Sequence, residues 1–296
     1  MADAWTVLRL LTWTTDYLKQ HGSDSPRLDA EVLLAHARGC ERIMLYAAFD
    51  QVVADDVRAK FRELVKRRAD GTPVAYLVGK REFYSLSFRV TPDVLIPRPE
   101  TELVVVETLE ALGGGSGSKV QRPNSAQVAD VGTGSGAIAV AVAKHVPQCR
   151  VIAVDSSPAA LAIAKENAAS LGVKEQIEFV DGDLLASLPA EPRLSVVASN
   201  PPYVSEAEYE ALAASVKSHE PRQALVAGPK GTEVIERLIP QAAERLLTGG
   251  CLIVEVSPMI AGRVVELIAA DGRYEPASIV KDLAGLARVV KARRQA

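Results

Sequence analysis

The feature that most constrains this chain is a regular alternation that begins near residue 126. "QVADVG" reads as a strand, "GAIAVAVAKHV" as a helix, "RVIAVD" as a strand and "SPAALAIAKENAASLG" as a helix. The strands "QIEFV" and "LSVVAS", the helix "GTEVIERLIPQAAERLL" and the strand "CLIVEV" continue it. Short apolar strands separated by helical periods specify an α/β fold, a parallel sheet covered by helices on both faces. Ligands in such folds bind at the carboxyl ends of the strands, beside the point where the strand order reverses. The residues at those ends therefore carry the functional argument.

Upstream, residues 1–80 read as a separate helical bundle. In "SPRLDAEVLLAHARG" Ser25 caps, Pro26 takes the first helical position and Gly39 stops the helix, with Leu28, Val32 and Ala35 on one face. "DDVRAKFRELVKRRADG" repeats the plan, with acids first, bases last and Gly71 beyond. Residues 81–96 switch to alternation, with Phe83, Leu86, Phe88 and Val90 spaced as in a short hairpin joining two domains. The α/β domain is expected over 97–296, interrupted at 113–125 by "GGGSGSKVQRPNS", a solvated flexible loop by composition.

Charge excludes some partners. A net charge of −3 gives no global attraction to nucleic acid or an anionic membrane. Residues 1–80 hold 12 Lys and Arg against 11 Asp and Glu, so no dedicated nucleic-acid domain is expected there. No apolar run is long enough to span a bilayer, and three scattered cysteines fit neither a disulfide framework nor a zinc site. A cytoplasmic protein is expected.

"DVGTGSGA" (130–137) passes from strand to glycine-rich turn to helix. Gly132, Gly134 and Gly136, with Thr133 and Ser135 between them, let a ligand approach the backbone closely. Gly132, Gly134 and Ala137 also satisfy a dinucleotide pattern, and Asp155 at the end of "VIAVD" suits the ribose of either NAD or S-adenosylmethionine. Asp130 tilts the choice, because a carboxylate there opposes a diphosphate and suits an ammonium and a sulfonium. Asp183 in "DGDLL" is placed to accept from an adenine amino group, with Leu184 as a wall for the ring.

"SNPPYV" (199–204) then asks for an acceptor. The nitrogen of an amide or an exocyclic amine is a poor nucleophile because its lone pair is delocalised. Accepting hydrogen bonds from both of its N–H groups aims that lone pair, and the Asn200 side-chain oxygen with the Pro201 carbonyl supplies two acceptors. Pro201 and Pro202 stiffen the loop. Tyr203 offers a flat face for the planar group. The four histidines lie in none of these motifs, so no general base is expected. A nucleic-acid exocyclic-amine methyltransferase, acting on adenine or guanine, would use the same loop. A donor-binding module without activity and a dehydrogenase fit less of it.

With these motifs in place, the chain resembles the bacterial-type release-factor glutamine methyltransferases, the HemK/PrmC family. "LIPRPETE" and "SNPPY" carry the resemblance most specifically, supported by "GTPVAYLVGKREFY" and "EPRQAL". The resemblance implies a class I, Rossmann-like methyltransferase domain with an N-terminal helical domain for substrate recognition. It implies S-adenosyl-L-methionine as donor and, as acceptor, the glutamine amide of the Gly-Gly-Gln loop of class 1 peptide chain release factors. Gly132 to Gly136, Asp155, Leu184 and Asn200 would contact the donor, and Asn200 to Tyr203 would hold the glutamine. The chain departs from the family pattern at Ser85, where glycine is usual, at Ser257 in "EVSPMI", at Leu286 and Ala287, and in "VAGPKG", which lacks an acid.

Overall fold

The computed structural model describes residues 4–113, 126–191 and 193–296, so residues 114–125 of the glycine-serine segment lie outside the described residues. Two compact units divide the chain: Met1–Lys80 with Ala213–His219, and Arg81–Leu212 with Glu220–Ala296.

The first unit contains α1 (Val7–Gln20), α2 (Pro26–Arg38), a 3₁₀ turn at Arg42–Ala48, α3 (Asp55–Ala69) and α4 (Val74–Val78). Its core joins Leu11, Leu18, Leu33, Leu34, Phe61 and Val65. The face of α2 differs from the one read in the sequence. Ala30, Leu33 and Leu34 are buried, whereas Leu28 is 45% exposed. Ser25 occupies the cap position without a side-chain capping bond, and Gly39 ends the helix in the left-handed region. The acids at the start of α3 and the bases in its last turn complement the helix dipole.

The second unit opens with the hairpin strands β1 (Lys80–Phe83) and β2 (Leu86–Arg89). Tyr84 and Ser85 form its turn with φ of 49° and 59°, the pair of left-handed residues that a tight hairpin requires. Ser85 thus meets a demand that glycine meets more easily. Phe83 and Phe88 from the hairpin are buried in the core of this unit.

The remaining elements are α5 (Glu102–Ala111), β3 (Gln127–Val131), α6 (Ala137–His145), β4 (Arg150–Asp155), α7 (Pro158–Ser170), β5 (Ile177–Asp181) and β6 (Leu194–Ser199). They are followed by β7 (Val204–Ser205), α8 (Glu206–Ala211), α9 (Ala214–His219, in the first unit), β8 (Val226–Gly228), α10 (Glu233–Arg245) and β9 (Leu246–Glu255). The chain then adds α11 (Ala261–Asp271), β10 (Ser278–Lys281) and β11 (Ala287–Arg293).

Seven strands form the main sheet in the order β10-β11-β9-β6-β3-β4-β5. Strands β3, β4, β5, β6 and β9 are parallel. The sheet is not wholly parallel, because β10 and β11 return as an antiparallel pair along β9. Side chains alternate across it. Val128, Val151 and Val196 pack on one face with α5 and α6, while Ala129, Val154 and Val197 pack on the other with α10 and α11. From β3 the chain runs outward through β4 and β5, then returns to place β6 on the opposite side of β3. The switch point between β3 and β6 opens a crevice at their carboxyl ends.

Candidate functional site

A cavity of about 290 Å³ occupies that crevice. Its wall includes Gly132, Thr133, Gly134 and Ser135 after β3, and Asp155 at the end of β4. Asp183 and Leu184 after β5, with Asn200 and Pro202 after β6, complete the set of expected residues that line it. The topology thus brings together residues from four strand ends.

The glycine loop is held from two sides. Asp155 accepts from the Gly134 N–H at 2.8 Å and from the Ser157 N–H at 2.9 Å. Burial pushes its carboxyl up from the ordinary value, and these backbone N–H groups oppose that shift. On the other side Asn167 of α7, which the sequence reading passed over, donates to the Ser135 carbonyl at 2.8 Å and to that of Arg89 at 3.0 Å. It also accepts from the Arg89 N–H at 2.7 Å, tying β2 to the loop.

Four expected residues do not line the cavity. Gly136 has φ of 80°, and a Cβ there would sit 3.1 Å from the Ala164 Cβ, so its smallness lets α6 approach α7. Asp130 is fully buried, accepting from the Thr133 hydroxyl at 2.6 Å and the Ala139 N–H at 3.0 Å. Its Oδ1 has no partner, and burial raises its carboxyl to about 6. Pro201 is buried. Tyr203 turns its hydroxyl inward and donates to Glu255 Oε1 at 3.2 Å. Asp183 does line the cavity, but its carboxylate pairs there with Arg237 of α10. Leu184 holds φ of 55°, a strained left-handed conformation for a bulky residue and a frequent mark of a functional site.

Behind Asn200 lies a polar layer. Asn200 donates through Nδ2 to the Thr101 hydroxyl at 3.0 Å, and its Oδ1 accepts no hydrogen bond from the described residues. Thr101, from "PRPETE", is 4% exposed and lines the cavity. Arg98 of the same stretch pairs with the buried Glu220 of "EPRQAL". Thr101 and Glu255 were not singled out among the site residues in the sequence. For Thr101 the signal was the density of polar residues in a motif that reaches the N-cap position of α5 without making a side-chain capping bond.

The comparisons with known proteins bear on this arrangement. Residues 9–79 match the model of the PrmC N-terminal domain, and residues 117–230 that of the methyltransferase small domain. The release factor glutamine methyltransferase of Rhodopirellula baltica is 51% identical over 97% of this chain and 95% of its own length. This chain belongs to that family. The family member from Geobacter sulfurreducens is 38% identical over 98% of both chains, and that from Moorella thermoacetica 42% over 93% of both. Among solved structures, the catalytic domain of hMettl16 in complex with an RNA hairpin aligns with a TM-score of 0.57 at 15% identity, covering 78% of this chain and 82% of that one. A T. thermophilus 16S rRNA methyltransferase in complex with AdoMet and guanosine aligns with a TM-score of 0.52 at 19% identity, covering 73% of this chain and 50% of that one. These two alignments share the class I methyltransferase fold. Among the described residues no helix is long and apolar enough to cross a membrane.

Proposed function

We propose that this enzyme transfers a methyl group from S-adenosyl-L-methionine to the side-chain amide nitrogen of the glutamine in the Gly-Gly-Gln motif of class 1 peptide chain release factors, in the cytoplasm. The observation that carries this reading is the state of Asn200. Its Nδ2 is engaged by Thr101, which leaves Oδ1 as an acceptor at the switch-point cavity. Family membership supplies the acceptor class.

The residues around the cavity fit such a donor. Asp155 lines the cavity beside the glycine loop, and the buried Asp130 beneath that loop adds negative potential to it without reaching the cavity. A Cβ on Gly134 would meet nothing within 4 Å, so its backbone faces open space. When bound, S-adenosyl-L-methionine supplies an electrophilic methyl group. The work of the chain is then orientation. Asn200 Oδ1 accepts one N–H of the glutamine amide and aims its lone pair, while the Pro201 carbonyl, although Pro201 does not line the cavity, is assigned the second N–H. This is preorganisation of hydrogen-bond acceptors, with no covalent intermediate on the enzyme. As the N–CH₃ bond forms and the S–CH₃ bond breaks, the nitrogen turns acidic and releases its proton to water. Residues 1–80 form their own core and carry none of these groups, which supports a role in reading the protein substrate.

The test is incubation of the enzyme with labelled donor, purified release factor, RNA and DNA, with mass mapping of the product. The label is expected on the Gly-Gly-Gln glutamine alone and absent when that glutamine is replaced. Label confined to nucleic acid would assign the loop to an exocyclic amine instead.

A further inference from the structure

A closed circuit of contacts begins and ends at the Asn200–Tyr203 loop, and one ion pair completes it. Asn200 donates through Nδ2 to the Thr101 hydroxyl at 3.0 Å. The Thr101 N–H donates to the Arg98 carbonyl at 3.1 Å, closing the 3₁₀ turn Pro99–Thr101. The Arg98 guanidinium donates through Nη2 to Glu220 Oε1. From Glu220 the chain passes through a second 3₁₀ turn, Arg222–Ala224, which the Leu225 N–H closes on the Arg222 carbonyl at 3.0 Å. The Leu225 carbonyl accepts from the Val204 N–H at 2.9 Å, and Val204 follows Tyr203 directly.

Each stretch of this circuit contributes to the cavity wall, through Thr101, Asn200, Pro202, Pro221 and Gln223. Its links are backbone hydrogen bonds, the chain itself and two side-chain contacts, of which Arg98–Glu220 is the charged one. The Glu220 side chain is 2% exposed, and its Oε2 has no partner. Burying a carboxylate is costly unless it is paired, and Arg98 is the cation that compensates it. Stability alone does not call for this arrangement, because a nonpolar pair of similar volume serves as well or better. Nonpolar packing lacks the directional bond that sets the Thr101 turn against the Gln223 turn.

We infer that Arg98 and Glu220 are positioning residues, a clasp that sets the Thr101 turn and the "EPRQAL" turn against the Asn200 loop so that the acceptor amide meets Asn200 Oδ1 in one pose. The inference rests on the proposed methylation of a planar amide. Neither member of the pair lines the cavity, so the clasp acts through other groups. On one side it acts through the Arg98 carbonyl and the Thr101 N–H that carry the hydroxyl holding Asn200. On the other it acts through the turn that ends at Leu225 and Val204. The glycine loop and Asp155 stand outside the circuit, so opening the clasp leaves their contact with each other in place.

The experiment compares wild type, Arg98→Met and the double variant Arg98→Met/Glu220→Leu in urea unfolding, donor calorimetry, amide hydrogen exchange and kinetics on intact release factor. Arg98→Met leaves a buried carboxylate unpaired and should lower stability. Its kcat/KM for release factor should fall at least tenfold, with the donor's dissociation constant within twofold of wild type. Exchange should quicken at Thr101, Leu225 and Val204 while the amides of β3 and β4 keep their protection. The double variant should recover most of the stability yet keep both the rate defect and the fast exchange, which separates positioning from a structural role. A double variant with kcat/KM within threefold of wild type, or exchange at those three amides as slow as in wild type, overturns the inference. Should Arg98→Met fail to fold, the double variant carries the same test. Wild type that never methylates the glutamine would refute the proposed function, while exchange at the three amides still decides the clasp.

Discussion

Asp155 at the end of β4 takes the Gly134 N–H at 2.8 Å, so one carboxylate both lines the cavity and sets the shape of the glycine loop beside it. Asn200, across the switch point, makes no bond to that loop's side chains and is held from behind by Thr101. On the proposed function the two residues are expected to act on different parts of the reaction. Asp155→Ala should raise the donor's dissociation constant at least tenfold with a smaller change in kcat, the pattern for lost uniform binding. Asn200→Ala should leave donor binding nearly intact and lower kcat by ~10²-fold or more, by analogy with losing one preorganised hydrogen-bonding group. Calorimetry and saturation kinetics on both variants check this. The same defect in both would refute the division of labour.

The glycines of the loop divide in the same way. Gly136 and Gly134 both have left-handed φ, of 80° and 54°. A Cβ on Gly136 would meet the Ala164 Cβ at 3.1 Å and its backbone Cα at 3.3 Å, whereas one on Gly134 would meet nothing within 4 Å. Left-handed strain of about 1–2 kcal/mol applies to both. Overpacking of about 1–3 kcal/mol applies to Gly136 alone. Gly136→Ala should therefore lower unfolding free energy by more than Gly134→Ala, while Gly134→Ala should weaken donor binding more. Urea unfolding and donor titration on the pair give the comparison.

How far the sequence showed this arrangement depended on how local each signal was. The parallel strands were legible because each is a short, mostly apolar run ending near glycine, acid or asparagine. The antiparallel strands β10 and β11 were not, since "SIVK" and "ARVVKAR" carry charges among their apolar residues and owe their state to pairing, β11 with β9 and the edge strand β10 with β11. On α2 the apolar residues are dense enough to suit two faces, and tertiary packing chose Leu33 and Leu34 over Leu28. Asn200 and Asp155 announced themselves by motif. Thr101 and Glu255 did not, because their contacts with Asn200 and Tyr203 exist only once the sheet has brought β9 and the "PRPETE" turn behind that loop.

The proposed role of the helical unit makes a separate prediction. Trp13, Tyr17, Arg62 and Lys66 line a cavity of about 400 Å³ in that unit, and Trp13 is 52% exposed. Deleting residues 1–80 would be a poor test, because Ala213–His219 belongs to the same unit and Thr72 contacts His219 at 3.2 Å. Point variants are cleaner. Arg62→Glu with Lys66→Glu should raise KM for intact release factor by tenfold or more, with donor affinity and turnover of a short Gly-Gly-Gln peptide unchanged. An unchanged KM on the intact protein would place recognition elsewhere.

The last prediction concerns Asp130 and the pH dependence of stability. Its carboxyl is raised from 3.8 to about 6, chiefly by burial, with the Thr133 hydroxyl and Ala139 N–H opposing the shift. A raised carboxyl means that the folded state holds the proton more tightly than the unfolded state does. Its contribution is therefore most favourable below about pH 4, declines as pH rises to about 6, and is flat above that. About two pKa units at 1.36 kcal/mol each give about 3 kcal/mol over the whole window, of which about 1 kcal/mol lies between pH 5 and pH 7. Asp130→Asn removes the titration while keeping one acceptor for the loop. The stability of wild type relative to Asp130→Asn, from urea unfolding without donor, should thus fall by about 1 kcal/mol from pH 5 to pH 7. Taking the difference between the two proteins cancels Glu255, which titrates in an overlapping window with the same sign. The donor adds a second reading, because a cationic ligand favours the ionised carboxylate. Its affinity for wild type should rise between pH 5 and pH 7, and that rise should shrink in Asp130→Asn. A stability difference that stays constant with pH would mean that Asp130 is already ionised at pH 5 in the folded enzyme.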